Sequence, residues 1–347
     1  MTSRERVMAA IDRIPADRVP IKHLAVKEID DILIEYFSLR DRMELLELFG
    51  DDLRDIYPDY VGPKIEGPID AEHGYISASV WNTLKKRHLP GGPTPMIGFE
   101  ETDEVRALPR VPDDCYDYSK VKERCLQYRD YARVFGYCEL DFINGLSDFR
   151  GIEQILIDIG LRDPLFIELV DERYQFVRKH IERALIAAEG EIDIVHFGED
   201  LGSQRGLLIS PDAFEDLFAD KYEAIFALAH KYGAKTMMHC CGSVRGLIPR
   251  LAELGLDVLD VVQTFAEGME IGSLRQDFGD IISFAGTMCV QHVLPFCDPG
   301  SVRAEVEKRL HLFSDGGLIL GPSHLIQPDT PLENIFEMYR AAGGYRG

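Results

Sequence analysis

The sequence predicts an α/β protein folded as one (β/α)8 barrel of the TIM type. Three observations predict it. Eight short apolar runs recur along the 347 residues, amphipathic helical stretches lie between most of them, and polar residues gather where the runs end. A doubly wound sheet shows the same alternation, so pattern alone leaves it open as the alternative.

Thr2 and Glu5 have the form of a capping box, and Val7, Met8 and Ile11 recur at helical spacing until Pro15. This helix is expected to close one end of the domain. Pro20 opens the first strand, "IKHL", and "AVKEIDDILIEYF" resumes helical periodicity. The remaining strands are expected at 52–58, 137–143, 192–200, 234–240, 257–263, 280–286 and 317–323. The stretches "RDPLFIELVDERYQFVRKHIERALIAA", "SPDAFEDLFADKYEAIFALAHKYG" and "DPGSVRAEVEKRLHLFSDGG" read as helices, the last two ending on Gly. Residues 59–116 break the rhythm with repeated Pro and Gly. So long an interval without structure of its own is unusual, so it reads as a hairpin or lid inserted after the second strand of a single domain, 1–347.

A formal net charge of −22, from 38 basic and 60 acidic residues, argues against a general phosphate-backbone binder, and no nucleic-acid partner is expected. The charged start "MTSRERVMAAIDRIP" is unlike a secretory signal, and no apolar run reaches membrane-span length. A cytoplasmic protein without membrane association is expected; a homodimer is compatible with the chain. Seven scattered cysteines do not resemble a disulfide framework and leave thiols available to a metal. Neither G-x-G-x-x-G in a strand–helix setting nor G-x-x-x-x-G-K-[ST] occurs, so nucleotide cofactors are not indicated.

In a barrel the working residues stand at the C-terminal strand ends. In "AKTMMHCCGS" strand alternation puts His239 and Cys241 on one side and Cys240 on the other. By themselves the two fit a buried thiol beside a hydrogen-bonded histidine as well as a metal site. His324 after the eighth strand and Cys289 after the seventh supply further donors, and three or four N/S donors from separate strands suit zinc with one position open. Glu199 and Asp200 are the candidate catalytic carboxylates, although capping a helix or pairing with Arg205 explains them equally well. His23, Asp141, Gln204 and Gln263 are the candidate substrate-binding groups, with His196 ranked below Glu199.

The runs "RERVMAAIDRIPADRVPI", "GEDLGSQRGLLISPDAFEDLF", "HCCGSVRGLIPRLAELGLDVLDVVQ", "FGDIISFAGTMCVQHVLPF" and "GPSHLIQPDTPLENI" resemble the uroporphyrinogen decarboxylase superfamily. They are most similar to its branch of cobalamin-dependent methyltransferases, over residues 3–342. The resemblance implies a (β/α)8 barrel and zinc held by a His-x-Cys pair and a later cysteine. The pair corresponds to His239 and Cys241. His324 stands where that later cysteine would be, and Cys289 where relatives often carry aspartate. "HLAVKEIDDILIEYF" lacks the arginines with which the decarboxylases hold their tetracarboxylate substrate. The implied function is zinc-dependent methyl transfer between a small O-, S- or N-methyl compound, a methoxylated aromatic foremost, and the cobalt of a corrinoid protein. The alternative is a decarboxylase acting on a smaller substrate. The expected cofactors are zinc and a corrinoid (cobalamin) carried by a partner protein.

Overall fold

The computed structural model describes residues 1–64, 69–70, 75–76, 80–89, 91–92, 94–137 and 140–345. Among them, seven parallel strands form one curled sheet. In chain order they are β1 (Leu53–Ile56), β2 (Ala132–Tyr137), β3 (Ile194–Gly198), β4 (Lys235–His239), β5 (Val258–Asp260), β6 (Ser283–Ala285) and β7 (Leu318–Ile319), and they hydrogen-bond in that same order. Between most of them the chain crosses over through helices, the longest being Pro164–Ala188 with Asp163 as its N-cap. Such crossovers are what parallel neighbours require.

Strand alternation divides the interior in two. Leu53, Ala132, Val134, Ile194, Met237, Val258, Ala285 and Ile319 point to one side, where Val7 and Ile11 of the helix Ser3–Ile11 pack onto them. That helix begins with the predicted capping box: Glu5 N–H donates to Thr2 Oγ1 at 3.1 Å and Thr2 N–H to Glu5 Oε2 at 2.9 Å. Phe135, Val195, Phe197, Met238, Leu259 and Phe284 point the other way, into the larger core beneath the outer helices. One inward position above Ile194, Met237 and Val258 the apolar layer gives way to His196, His239 and Asp260, all buried. This change of polarity marks the functional end.

Three expectations are corrected or refined. The strand expected at 137–143 lies at 132–137, and Ile143–Arg150 is helical; residues 138 and 139 fall outside the described residues. Arg133 and Gly136 interrupt the apolar run of the true strand. Arg133 is buried because Asp193 of the next strand's approach accepts from its Nε at 2.7 Å. "IKHL" forms an isolated parallel bridge, Ile21 to Leu320, with Lys22 N–H donating to Leu320 O at 2.8 Å and Asp52 N–H to Ile21 O at 2.9 Å. The 59–116 segment leaves and returns through an antiparallel pair, Asp59–Tyr60 with Tyr116–Asp117. Ile69–Asp70 pairs antiparallel with Tyr75–Ile76. Its helix Val80–Lys86 buries Val80, Trp81 and Leu84 in the large core. Residues 65–68, 71–74, 77–79, 90 and 93 of the expected insertion lie outside the described residues.

Candidate metal centre at the strand ends

β4 ends on His239, facing inward two residues above Met237. Cys240 faces outward into the core, its Sγ accepting from Leu201 N–H at 3.3 Å. The chain then turns at Gly242, whose φ of +78° and 2.6 Å approach of a would-be Cβ to the Gly202 and Ser203 backbone exclude other residues. The turn brings Cys241 Sγ to 3.2 Å from His239 Nε2. From the far side, the segment after β7 carries His324, whose ring lies 5.8 Å from that of His239 at 71°. One donor atom from each of His239, Cys241 and His324 lies within 4.8 Å of the other two, which is the spacing of ligands around one cation.

The electrostatics suit the imidazoles to that role. Burial pushes the His239 pKa down to about 4, against the pull of Asp260 and Asp200, and burial likewise lowers that of His324. Both rings are therefore neutral near pH 7, with a lone pair to offer. Burial, followed by Asp200, raises the Cys241 thiol above its ordinary range, and a cation beside it would favour the thiolate. Two nitrogens and a sulfur of this kind fit zinc.

Behind the triad stand Glu199 and Asp200, at the end of β3. Asp200 Oδ1 accepts from the N–H of Cys241 at 2.9 Å and lies 3.9 Å from His239 Nε2; Oδ2 accepts from Asn144 Nδ2 at 3.2 Å. Glu199 turns the other way and is fully buried. Its carboxylate accepts from Phe142 N–H at 2.8 Å, from Ile143 and Asn144 N–H at the start of the helix Ile143–Arg150, and from Tyr222 Oη at 2.9 Å. Burial first, and then Asp141, raise its pKa to about 7.

Beside the triad is a buried cluster of which sequence reasoning named only His196. Asp260, paired in register with His239 on the neighbouring strand, accepts from Lys22 Nζ at 2.5 Å and lies 3.0 Å from His196 Nε2. Burial would raise the Asp260 pKa, but Lys22 and His196 outweigh it and hold it below the usual carboxylate range. His196 is lowered by burial, with Asp260 opposing. The available signal was alternation: Val258 and Asp260 share a face, and in "IKHL" the lysine rather than the histidine points inward.

The other expected site residues are distributed as follows. His23 faces away from the triad, with Nδ1 2.6 Å from Tyr339 Oη and Nε2 2.8 Å from Asp30 Oδ1. Asp141 is bound by Arg173 and accepts from Gly145 N–H at 3.1 Å. Gln263 Oε1 accepts from Gln204 Nε2 at 2.8 Å and from Gly242 N–H at 3.1 Å, so this pair braces the turn that carries Cys241. Cys289 is buried in the outer core and is not one of the residues that converge with His239.

Several known proteins resemble parts or all of this chain. Two methylcobamide:CoM methyltransferases MtaA from Methanosarcina barkeri, one from strain Fusaro / DSM 804, are 25% identical over 158 residues and 26% over 161. Each alignment covers 45% of this chain and 43% of the relative, so the chain spans less than half the length of the curated relatives it matches. A methyltransferase from Methanosarcina mazei superposes with a TM-score of 0.66 at 18% identity, covering 99% of this chain and 98% of that one, and shares its fold. The family model for uroporphyrinogen decarboxylase (URO-D) matches residues 172–345, half of the sequence and all of β3 to β7, including His239, Cys241 and His324. The chain belongs to the uroporphyrinogen decarboxylase family.

Proposed function

We propose that this protein is a zinc-dependent methyltransferase that moves a methyl group between the cobalt of a corrinoid protein and the heteroatom of a small O-, S- or N-methyl compound or thiol. The observation that carries the reading is the convergence of His239, Cys241 and His324 from two separate strand ends. The names of the matched relatives favour one direction, from methyl-cobalt to a thiol. In this reading residues 20–22 take the eighth place of a (β/α)8 barrel, between β7 and β1, and the 59–116 segment borders its mouth.

Zinc, when bound, would supply Lewis acidity to the sulfur, oxygen or nitrogen that gains or loses the methyl group. The protein's own groups do the rest. Neutral His239 and His324 and the Cys241 sulfur hold the cation, and Asp200 fixes the backbone from which that sulfur hangs. Lys22, Asp260 and His196 form a desolvated polar wall beside the triad, which strengthens fixed charges acting on a reactant there. Glu199, enclosed by backbone N–H groups, holds the start of the helix Ile143–Arg150 in place.

The test is to measure bound metal in protein purified without chelator, then to follow the absorbance of methylcobalamin with a panel of thiols, and of Co(I) cobalamin with methoxyarenes, methylamines and methyl thioethers. Stoichiometric zinc and methyl exchange abolished by His239→Ala are expected. Protein that holds no zinc, exchanges no methyl group with cobalamin and behaves the same after His239→Ala would favour the decarboxylase alternative.

A further inference from the structure

Asp200 touches the triad through the backbone of Cys241, and what holds Asp200 in turn lies outside the triad. Its Oδ2 accepts from Asn144, in the first turn of the helix Ile143–Arg150. That turn is fixed from the inside by Glu199 and from the outside by the inserted segment. Asn82, on the helix Val80–Lys86, donates Nδ2 to Gly145 O at 2.7 Å, and its Oδ1 accepts from Arg173 Nη1 at 2.9 Å. Arg173 also donates Nε to Asp141 O at 2.5 Å. Asn82 and Arg173 are buried, and Arg173 lies over the Trp81 ring at 5.1 Å. Hydrogen bonds therefore run from the inserted segment to Gly145, and from its chain neighbour Asn144 through Asp200 to the backbone of Cys241.

We propose that Asn82 and Asn144 are positioning residues that form a strut between the inserted segment and the metal ligand Cys241, so that the segment's docking sets the geometry of the metal centre. The inference rests on the reading of His239, Cys241 and His324 as metal ligands. Its physical basis is that buried polar networks have high stakes. Moving Asn82 would cost Gly145 O and Arg173 Nη1 one buried partner each, which favours the segment and the helix start shifting together. Asn144 then carries that shift to Asp200, and Asp200 to the Cys241 N–H. Outer partners of metal ligands typically change affinity by 10–100-fold when removed.

The experiment uses Co(II) as a spectroscopic probe in the full-length protein, reading the sulfur-to-cobalt charge-transfer band and the affinity by competition with a chromophoric chelator. The variants are Asn144→Leu, Asn82→Leu and the double substitution. Asn334→Leu serves as control, because Asn334 is also buried and donates to Leu294 O and Cys297 O away from the triad. Asn144→Leu is expected to shift the band and weaken Co(II) binding roughly tenfold. Asn82→Leu should move both in the same direction, and the double variant should be no weaker than Asn144→Leu alone. The control should lose stability and keep the wild-type band. Wild-type band and affinity in folded Asn144→Leu and Asn82→Leu, or losses that multiply in the double variant, would overturn the strut. Should Asn82→Leu fail to fold, half-buried Asn144 decides by itself. Wild-type protein that takes up no Co(II) would instead overturn the metal reading.

Discussion

Replacing Lys22 by Met should destabilise the protein far more than loss of an ordinary lysine. Lys22 Nζ lies 2.5 Å from Asp260 Oδ2, with side-chain exposures of 12% and 0%. At an effective dielectric of about 20, unit charges at that distance attract by about 6–7 kcal/mol, an upper figure from which desolvation must be subtracted. Removing one partner of a buried pair typically costs about 3–5 kcal/mol, because the other charge is left buried. His196 still faces Asp260 at 3.0 Å, which places the expected cost of Lys22→Met near the lower end, about 3 kcal/mol. Asp260→Asn removes the stranded charge, so Lys22→Met/Asp260→Asn should recover most of that loss. Denaturant titrations of the four proteins, treated with chelator so that metal does not contribute, measure the cycle. A cost below about 1 kcal/mol for Lys22→Met, or additivity in the double variant, would show that Asp260 is not held by Lys22.

Zinc competition assays should show at least about a hundredfold weaker binding for Cys241→Ser and His324→Ala, beyond what outer partners cost, while Cys289→Ser binds as wild type. Glu199→Gln, which turns an amide toward backbone N–H donors, should lower stability by about 3 kcal/mol in a thermal or denaturant melt; a loss within error would deny the carboxylate its anchoring role. The pH dependence of stability should carry the signature of His180, which burial, followed by Arg183, lowers from 6.5 to about 3. Its ring Nδ1 lies 2.7 Å from Tyr118 Oη. A histidine depressed in the folded state contributes stability that is present above its unfolded pKa and lost as pH falls from 6.5 toward 3. The slope is about 1.4 kcal/mol per pH unit, or about 2 kcal/mol between pH 6.5 and 5. The difference between wild-type and His180→Gln curves isolates it, and parallel curves would contradict the neutral, buried ring.

Features written locally were legible in the chain. The Thr2–Glu5 capping box and the placing of His239 and Cys241 on one side with Cys240 on the other depend on neighbours a few positions away, and each stands as read. His324 was legible because it follows a recognisable strand. What stayed hidden depends on partners far along the chain. Strand 132–137 was misplaced because Arg133 reads as polar until Asp193, 60 residues on, neutralises it. Lys22 and Asp260 are separated by 238 residues, and their proximity follows only from the bridge between Ile21 and Leu320. Glu199 was legible as a strand-end acid. That it faces a helix start rather than the triad follows from the backbone turn at 142–144, where no local periodicity speaks. Cys289 shows the converse: it follows a strand end, yet Gly286, at φ +58°, reorients the chain before it, and its side chain joins the outer core.

The N-terminal helix has a consequence for traffic. Val7 and Ile11 stopper the end of the sheet opposite His239, and the layer above them is continuous hydrocarbon. Among the described residues that side offers no way in, so in the proposed reaction a bulky corrin ring and a small acceptor would both approach from the His239 end. Crowding at that end would then set their order of arrival and departure, since a corrin ring seated there would bar the smaller reactant from entering or leaving.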